Sequence, residues 1–112
     1  MKSMSHTALA AAVVLGAALS AGSPAAHAEA AGLALAQQQN CMSCHSVTRS
    51  FMGPALRDVA AKYAGREDAA NYLKRKILDG STGVWGVVPM PANTQLTPDQ
   101  AAALASWVLT LK

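Results

Sequence analysis

The stretch Cys41-Met42-Ser43-Cys44-His45 decides the fold of this 112-residue chain, which has no other cysteine. Its two thiols are three residues apart, close to one helical turn, and a histidine directly follows the second thiol. This spacing lets both sulfurs add to the two vinyl groups at one porphyrin edge while the imidazole binds iron beneath the ring. The motif therefore predicts covalent attachment of a c-type haem through Cys41 and Cys44, with His45 as an axial iron ligand.

The first 28 residues predict a secretory signal peptide that is removed from the mature protein. Lys2 provides a positive start, the run Ala8–Leu19 is apolar or small, and Ala26-His27-Ala28 has small residues where a signal peptidase recognises them. We expect cleavage before Glu29, which leaves residues 29–112 as one domain. A retained membrane anchor is the alternative, but an anchor needs about 20 apolar residues and this run is shorter.

Three other kinds of site use the same residues as the haem motif. A thioredoxin-like dithiol normally lies in a strand-helix context, and the sequence has no parallel-sheet pattern. A structural zinc ion needs four protein ligands, but removal of His6 and His27 with the signal leaves two cysteines and one histidine. An ordinary disulfide suits an exported protein, yet it leaves His45 without a role. Haem attachment is the interpretation that uses all three side chains.

A mature domain of about 84 residues has little room for a core, and such small domains often need a metal, a disulfide or another internal support. Loss of Lys2 leaves eight basic beside six acidic side chains. So mild an excess, without a basic stripe interleaved with aromatic residues, indicates neither a nucleic-acid partner nor a polybasic membrane contact. A haem would fill the middle of such a domain.

Apolar residues recur with helical spacing and no run alternates with the period of a strand, so the predicted fold class is all-α, with about four short helices around one haem. The first helix is expected over Ala30–Gln39, the second from Pro54 to Gly65, the third from Glu67 to Gly80, and the fourth from Thr97. The basic run Lys74–Lys76 complements the negative end of the third helix and needs no partner to explain it. Thr97, Pro98 and Gln100 form a capping-box pattern. The side chains expected to face the core are Leu35, Leu56, Val59, Ala60, Tyr63, Leu73, Ile77, Leu104, Trp107, Val108 and Leu111.

The segment between Gly80 and Thr97 predicts a long loop, because glycines and prolines interrupt it and it is too apolar for disorder. Met90 lies in this loop between two prolines, which stiffen the backbone and leave the side chain little entropy to lose. Met90 is therefore the candidate second axial ligand, whereas Met42 and Met52 are expected to pack against the ring or the core. A thioether opposite an imidazole raises the reduction potential and fills the sixth iron position, which suits an electron carrier.

Longer stretches around these residues resemble the small bacterial class I cytochromes c of the cytochrome c-551 (c8) type, over nearly all of residues 30–112. The matching stretches, besides the cysteine motif, are Gly53–Leu56, Asp58–Lys62, Gly80–Gly86, Pro89–Asn93 and Trp107–Leu109. The resemblance implies thioether bonds from Cys41 and Cys44 and axial ligation by His45 and Met90.

The resemblance also implies supporting roles for three residues near the ligands. The carbonyl of Pro54 would accept the other ring N–H of His45, which fixes and strengthens the imidazole as a ligand. The indole N–H of Trp85 would donate to a haem propionate, with plain apolar packing as the alternative. The side-chain amide of Asn93 would lie near the sulfur of Met90.

Two positions depart from the family pattern. Relatives often have arginine where this chain has Lys76, and a lysine makes a single-point contact with a propionate rather than a bidentate one. Relatives also often have an aromatic residue where the first helix has Ala36. Thinner packing between the first and last helices is therefore expected, with Trp107 contributing more of it.

These features predict a periplasmic, monomeric, monohaem electron carrier that is not an enzyme. The resemblance implies that it shuttles single electrons from a membrane quinol-oxidising complex to a terminal oxidase or reductase, with a nitrite reductase as one candidate acceptor. Redox partners would dock transiently at an exposed haem edge, on a small apolar patch ringed by polar and basic groups. Two alternatives stay open: a haem enzyme or gas sensor in which Met90 dissociates, and a redox-active dithiol protein without a cofactor.

Overall fold

A computed structural model describes residues 10–17 and 22–112, and within them the predicted all-α fold is confirmed. The described helices are α1 (Pro24–Gln38), α2 (Leu56–Tyr63), α3 (Ala69–Asp79) and α4 (Pro98–Leu109), with a 3₁₀ turn at Cys41–Ser43. Residues 10–17 form neither helix nor strand and are exposed. Lys2, His6 and both ends of the predicted apolar run, Ala8 and Leu19, lie outside the described residues. None of the helices described is long and apolar enough to cross a membrane.

Helix α1 begins six residues before the predicted start at Ala30, so that prediction was wrong. The reason is a local cap: the Ser23 hydroxyl accepts a hydrogen bond from the Ala26 N–H at 3.3 Å, and Pro24 occupies the first helical position. Residues 22–31 are all exposed, whereas Ala36 has no exposed surface and Leu35, expected in the core, is half-buried. The helix thus crosses the predicted cleavage site with an exposed segment.

Helix α2 begins at Leu56 rather than at Pro54, because the backbone before it is extended. Ala55 has φ −56° and ψ 134°, and the N–H groups of Leu56 and Arg57 donate to the carbonyls of Ser46 (2.9 Å) and Val47 (3.1 Å). These bonds satisfy the free N–H groups of the first turn of α2 and tie the helix to the chain after the cysteine motif. The four apolar residues predicted on its inner face, Leu56, Val59, Ala60 and Tyr63, are all buried.

Helix α4 is the central element, and it packs against α1, α2 and α3. Its predicted capping box is confirmed: the Thr97 hydroxyl accepts from the Gln100 N–H at 3.1 Å, and the Gln100 side chain accepts from the Thr97 N–H at 3.0 Å. The helix buries Leu104, Trp107 and Val108 as predicted. Leu111, also predicted on this stripe, lies beyond the end of the helix and is half-buried.

The contact between α1 and α4 is unusually close at Gly32. A Cβ atom on Gly32 would overlap Cγ and Cδ1 of Trp107, so the indole lies directly against the backbone of α1. Thinner packing was expected here because Ala36 replaces an aromatic residue. The structure shows instead that two small residues on α1 admit a large one from α4, and Trp107 provides the bulk as predicted.

Candidate functional site

The four helices enclose an apolar cavity of about 280 Å³, together with the segment between α1 and α2 and the loop between α3 and α4. Cys41, Cys44, His45 and Met90 all line this cavity, although Met90 is 45 positions after His45 in the sequence. Among the lining side chains only Lys76 is formally charged. The fold therefore collects two thiols, an imidazole and a thioether in one apolar space.

The two cysteines are placed by the tight turn that follows α1. Asn40 adopts the left-handed conformation at φ 62°, and its carbonyl accepts a hydrogen bond from the Ser43 hydroxyl at 2.7 Å. The His45 N–H donates to the Cys41 carbonyl at 3.0 Å, which closes the turn. Both thiols are free and half-buried, and burial raises the pKa of the Cys41 thiol.

The imidazole of His45 is held from two sides. Its Nδ1–H donates to the carbonyl oxygen of Pro54 at 2.7 Å, the contact expected from the sequence, which leaves Nε2 as the nitrogen available to a metal. A Cβ atom on Gly53 would lie 2.7 Å from Cε1 of the imidazole, so the ring rests on a backbone that has no side chain there. The Gly53 N–H in turn donates to the Cys44 carbonyl at 2.8 Å. This role of Gly53 was not predicted from the sequence, in which the glycine before Pro54 was the only signal for it.

The backbone of Met90 is paired with that of Ser81, directly after α3. The Met90 N–H donates to the Ser81 carbonyl at 2.8 Å, and the Ser81 N–H donates to the Met90 carbonyl at 3.0 Å. Gly80 permits this approach, because it has φ 85° and a Cβ there would lie 2.7 Å from the Met90 carbonyl oxygen. Backbone hydrogen bonds therefore hold the loop at Met90 itself, and the flanking prolines stiffen the loop as predicted.

The side-chain amide of Asn93 anchors the same loop to α3. Its Nδ2 donates to the Ile77 carbonyl at 2.9 Å, and its oxygen accepts from the Gln95 amide at 3.3 Å. One N–H of the amide thus has a backbone partner that the sequence did not predict. Contact between the second N–H and the Met90 sulfur stays a prediction.

The loop and α3 contribute an aromatic and basic side of the cavity. Trp85 lines the cavity and is 41% exposed, with the ammonium group of Lys62 standing 5.2 Å from its ring centroid. Lys76 stands 5.3 Å from the ring of Tyr72. The propionate contacts expected of Trp85 and Lys76 stay predictions. Lys62 and Tyr72 were not predicted as site residues.

Tyr63 and Tyr72 lie beside each other on this side, with ring centroids 5.0 Å apart and ring planes tilted by 44°. Burial, assisted by hydrogen bonding to Tyr72, raises the pKa of Tyr63 to about 12. The Tyr63 hydroxyl therefore stays neutral at physiological pH and adds no negative charge to the cavity wall.

The other two methionines of the domain occupy different surroundings. Met42 is half-buried and packs against the hydrophobic core, in line with its predicted packing role. Met52 was expected to pack against the ring or the core; it is 57% exposed and lines the cavity, so it is not part of the core, and its contact with a ring stays a prediction. The segment Phe51–Gly53 turns outward before α2, which carries this side chain to the surface.

The donor set and its surroundings fit a covalently bound haem: two neighbouring thiols for the vinyl groups, one free imidazole nitrogen, one thioether, and apolar walls. Within residues 10–17 and 22–112, no three His, Cys, Asp or Glu side chains gather as a metal site, which disfavours structural zinc. Helix α1, not a strand, leads into the Cys41–Cys44 turn, which disfavours a thioredoxin-like dithiol.

Comparisons with known proteins point the same way. The family model described as Cytochrome c matches residues 29–112. The chain is 55% identical over 78 residues to cytochrome c-552 of Nitrosomonas europaea, covering 70% of this chain and 76% of that protein. It is 53% identical over 83 residues to cytochrome c-551 of Ectopseudomonas mendocina, covering 74% of this chain and all of that protein. The crystal structure of wild-type Nitrosomonas europaea cytochrome c552 matches with a TM-score of 0.70 and 54% identity, over 71% of this chain and 99% of that chain.

Proposed function

Because the chain belongs to the cytochrome c family, we propose that residues 29–112 form a periplasmic carrier of single electrons between a membrane quinol-oxidising complex and a terminal reductase or oxidase. As a cytochrome c, the protein carries one covalently attached haem c and is an electron carrier rather than an enzyme. The observation that carries the proposal is the single apolar cavity that Cys41, Cys44, His45 and Met90 line together. A nitrite reductase is one candidate acceptor.

Four side chains would hold the haem. Cys41 and Cys44 would bind it through thioether bonds, and Nε2 of His45 and the sulfur of Met90 would bind its iron. When bound, the haem supplies the one-electron redox chemistry. The Pro54 carbonyl orients the imidazole and strengthens it as a donor. The Ser81 pairing fixes the Met90 backbone, so that the thioether has little freedom to move between oxidation states.

Two short exposed segments form what we call the apolar rim. Its members are Phe51, Met52, Val84, Trp85, Val87 and Val88. Four of them, Met52, Val84, Trp85 and Val88, also line the cavity, so the rim surrounds the place where a haem edge would meet solvent. Lys62 stands over Trp85 and Lys76 lines the cavity, whereas no acidic side chain among the described residues lines it. A redox partner that presents apolar and acidic groups would dock on this rim weakly and release quickly.

Export through a signal peptide is the second part of the proposal. The cytochrome c match begins at residue 29, the residue before which cleavage is expected, and residues 22–31 are all exposed. Removal of the first 28 residues would therefore leave the core intact, and we expect the mature protein to be a monomer without membrane contact. The mass of the protein recovered from the periplasm tests the cleavage site, and a mass that retains the first 28 residues would contradict it.

The visible spectrum of the exported protein tests the electron-carrier role. We expect a low-spin reduced spectrum and, in the oxidised protein, a methionine-to-iron charge-transfer band. Replacement of Met90 by alanine should abolish that band, admit carbon monoxide, and lower the reduction potential by on the order of a few tenths of a volt, within the roughly 0.8 V range that axial ligands set. Met52→Ala is the control and should change neither ligation nor potential.

The same measurements separate the alternatives. High-spin iron in the resting wild-type protein would favour a haem enzyme or gas sensor. A colourless protein with both thiols free or bridged to each other would favour the cofactor-free dithiol protein. If Met90→Ala and Met52→Ala had equal effects, Met90 would not be an iron ligand.

A further inference from the structure

The Trp85 side chain lies on a loop and is contacted by the cation of Lys62. The loop around it, residues 83–88, has no regular structure, and within the described part of the chain no hydrogen bond holds the indole. The ammonium group of Lys62, from the last turn of α2, stands 5.2 Å from the ring centroid, which is a cation–π distance. Lys62 therefore links a half-exposed loop side chain to the helical frame.

Basic side chains gather around this contact at one side of the cavity. Lys76, the charged member of its lining, stands 5.3 Å from the Tyr72 ring, and the Arg66 guanidinium stands 4.3 Å from the same ring. Among the described residues, Arg66 is the only one of these cations with an acidic side chain within ion-pair distance, Asp68, which accepts its hydrogen bonds. Two uncompensated lysines, Lys62 and Lys76, thus flank the wall that the tryptophan and tyrosine rings form.

A haem carries two carboxylates on its periphery, and an ionised carboxylate is costly in apolar surroundings unless it is paired. The wall with the uncompensated lysines is therefore where those carboxylates belong. Resting on the proposed haem binding, we infer that Lys62 is a positioning residue for Trp85: its cation holds the indole against the carboxylate edge of the haem. Lys62 acts through the ring and not as a ligand.

This arrangement has a consequence for the redox state. A cation held near the haem favours the ferrous form, which has one positive charge fewer than the ferric form. Loss of the Lys62 charge should therefore lower the reduction potential, and loss of its contact should release the indole. The two effects should appear together, because one contact produces both.

The test uses the haem-loaded protein and two measurements, the midpoint potential and the NMR resonance of the Trp85 indole N–H in the reduced state. Lys62→Gln should lower the potential about three times as much as the control Lys112→Gln, because charges beyond about 10 Å are largely screened in 0.1 M salt. It should also shift the indole resonance. Lys112 is exposed, and among the described residues it stands over no aromatic ring at a cation–π distance. Lys62→Arg should restore both signals, since a guanidinium also binds aromatic faces.

A double-mutant cycle shows whether the effect passes through the indole. In a Trp85→Leu background, which has no aromatic ring to hold the cation, Lys62→Gln should change the potential no more than Lys112→Gln does. An equal shift with and without the indole, or an unmoved Trp85 resonance in Lys62→Gln, would overturn the inference. Failure here with an intact low-spin, reversible wild type leaves the electron-carrier proposal standing, whereas a wild type without haem would end both.

Discussion

Single residues next to the proposed ligands hold them in place. Two of these residues are glycines, whose missing side chains make room, and one contributes a backbone carbonyl. Gly53 has no side chain where the imidazole of His45 lies, and Gly80 has none where the Met90 carbonyl lies. The carbonyl of Pro54 accepts the imidazole N–H, and this bond is only 2.7 Å long. Each ligand thus depends on a neighbour that never touches the metal, and small changes at these neighbours should appear in the spectrum.

Gly53→Ala tests this dependence directly. The added Cβ would lie 2.7 Å from Cε1 and 2.9 Å from Nδ1 of His45, so the imidazole must turn and its bond to Pro54 must lengthen. We expect a loss of stability of about 1–3 kcal/mol, typical of overpacking, together with a perturbed low-spin spectrum. Urea unfolding followed in the Soret band measures the first effect, and the ferric charge-transfer band the second.

Gly65→Ala is the matched control for this change. Gly65 has φ 77° and open space around it, so alanine there strains the backbone but touches nothing. It should cost stability while leaving the spectrum unchanged. An unaltered spectrum in Gly53→Ala would mean that the glycine does not position the imidazole.

At the scale of helices, α4 organises the domain, and its contact with α1 is the least expected one. The hydrophobic pattern of α1 gave little reason to place Gly32 at an interface, yet the indole of Trp107 lies directly against it. Ala36, one turn further along α1, is completely buried. Small residues on one helix and a large one on the other therefore let the two axes approach closely.

Gly32→Ala should accordingly destabilise the protein although alanine is the better helix former. In a solvated helix this change would stabilise by about 1 kcal/mol. Here the new Cβ overlaps the root of the Trp107 side chain, which cannot rotate away, and overpacking of this kind costs about 1–3 kcal/mol. The free energy of unfolding from urea titration measures the difference. Exposed Ala34 on the same helix supplies the comparison: Ala34→Gly should cost only the propensity term of about 1 kcal/mol. A more stable Gly32→Ala variant would refute the close contact.

At the scale of the whole molecule, the apolar rim is continuous with the cavity, because four of its residues also line the cavity. The core side chains surround the space that a haem would fill, and the exposed large apolar residues between α1 and α4 are gathered at its mouth. The Val87 side chain is 99% exposed, so it contributes nothing to the core and is available to contact a partner protein at this surface. Electron exchange would therefore take place at this rim.

Val87→Asp should slow electron transfer to a redox partner by more than the small lowering of the potential by its own charge explains, and it should leave the stability unchanged. A new charge in the centre of an apolar contact is expected to weaken docking by about 1 kcal/mol, which is about fivefold in rate at low partner concentration. Stopped-flow rates with candidate reductases at several salt concentrations provide the measurement. Ala103→Asp places the same charge at an exposed position of α4 that is not part of the rim, and it should leave the rates unchanged. Equal rates for Val87→Asp and the wild type would place the docking surface elsewhere.

By itself, the sequence determined what depends on neighbours along the chain: the thiol spacing before His45, the inner face of α2, the capping box of α4 and the all-α fold. These features arise from local hydrogen bonds and from the 3.6-residue period, which a linear pattern carries. Helix starts were less certain, because the Ser23 cap and the extended backbone at Ala55 depend on single hydrogen bonds.

Only the tertiary structure decided which distant residues meet. Gly53 beneath His45, Ser81 beside Met90, Gly32 beneath Trp107 and Lys62 over Trp85 are contacts between segments whose approach depends on how the helices pack. Periodicity tells which face of a helix is buried but not what lies against it, so no linear pattern could supply these pairs.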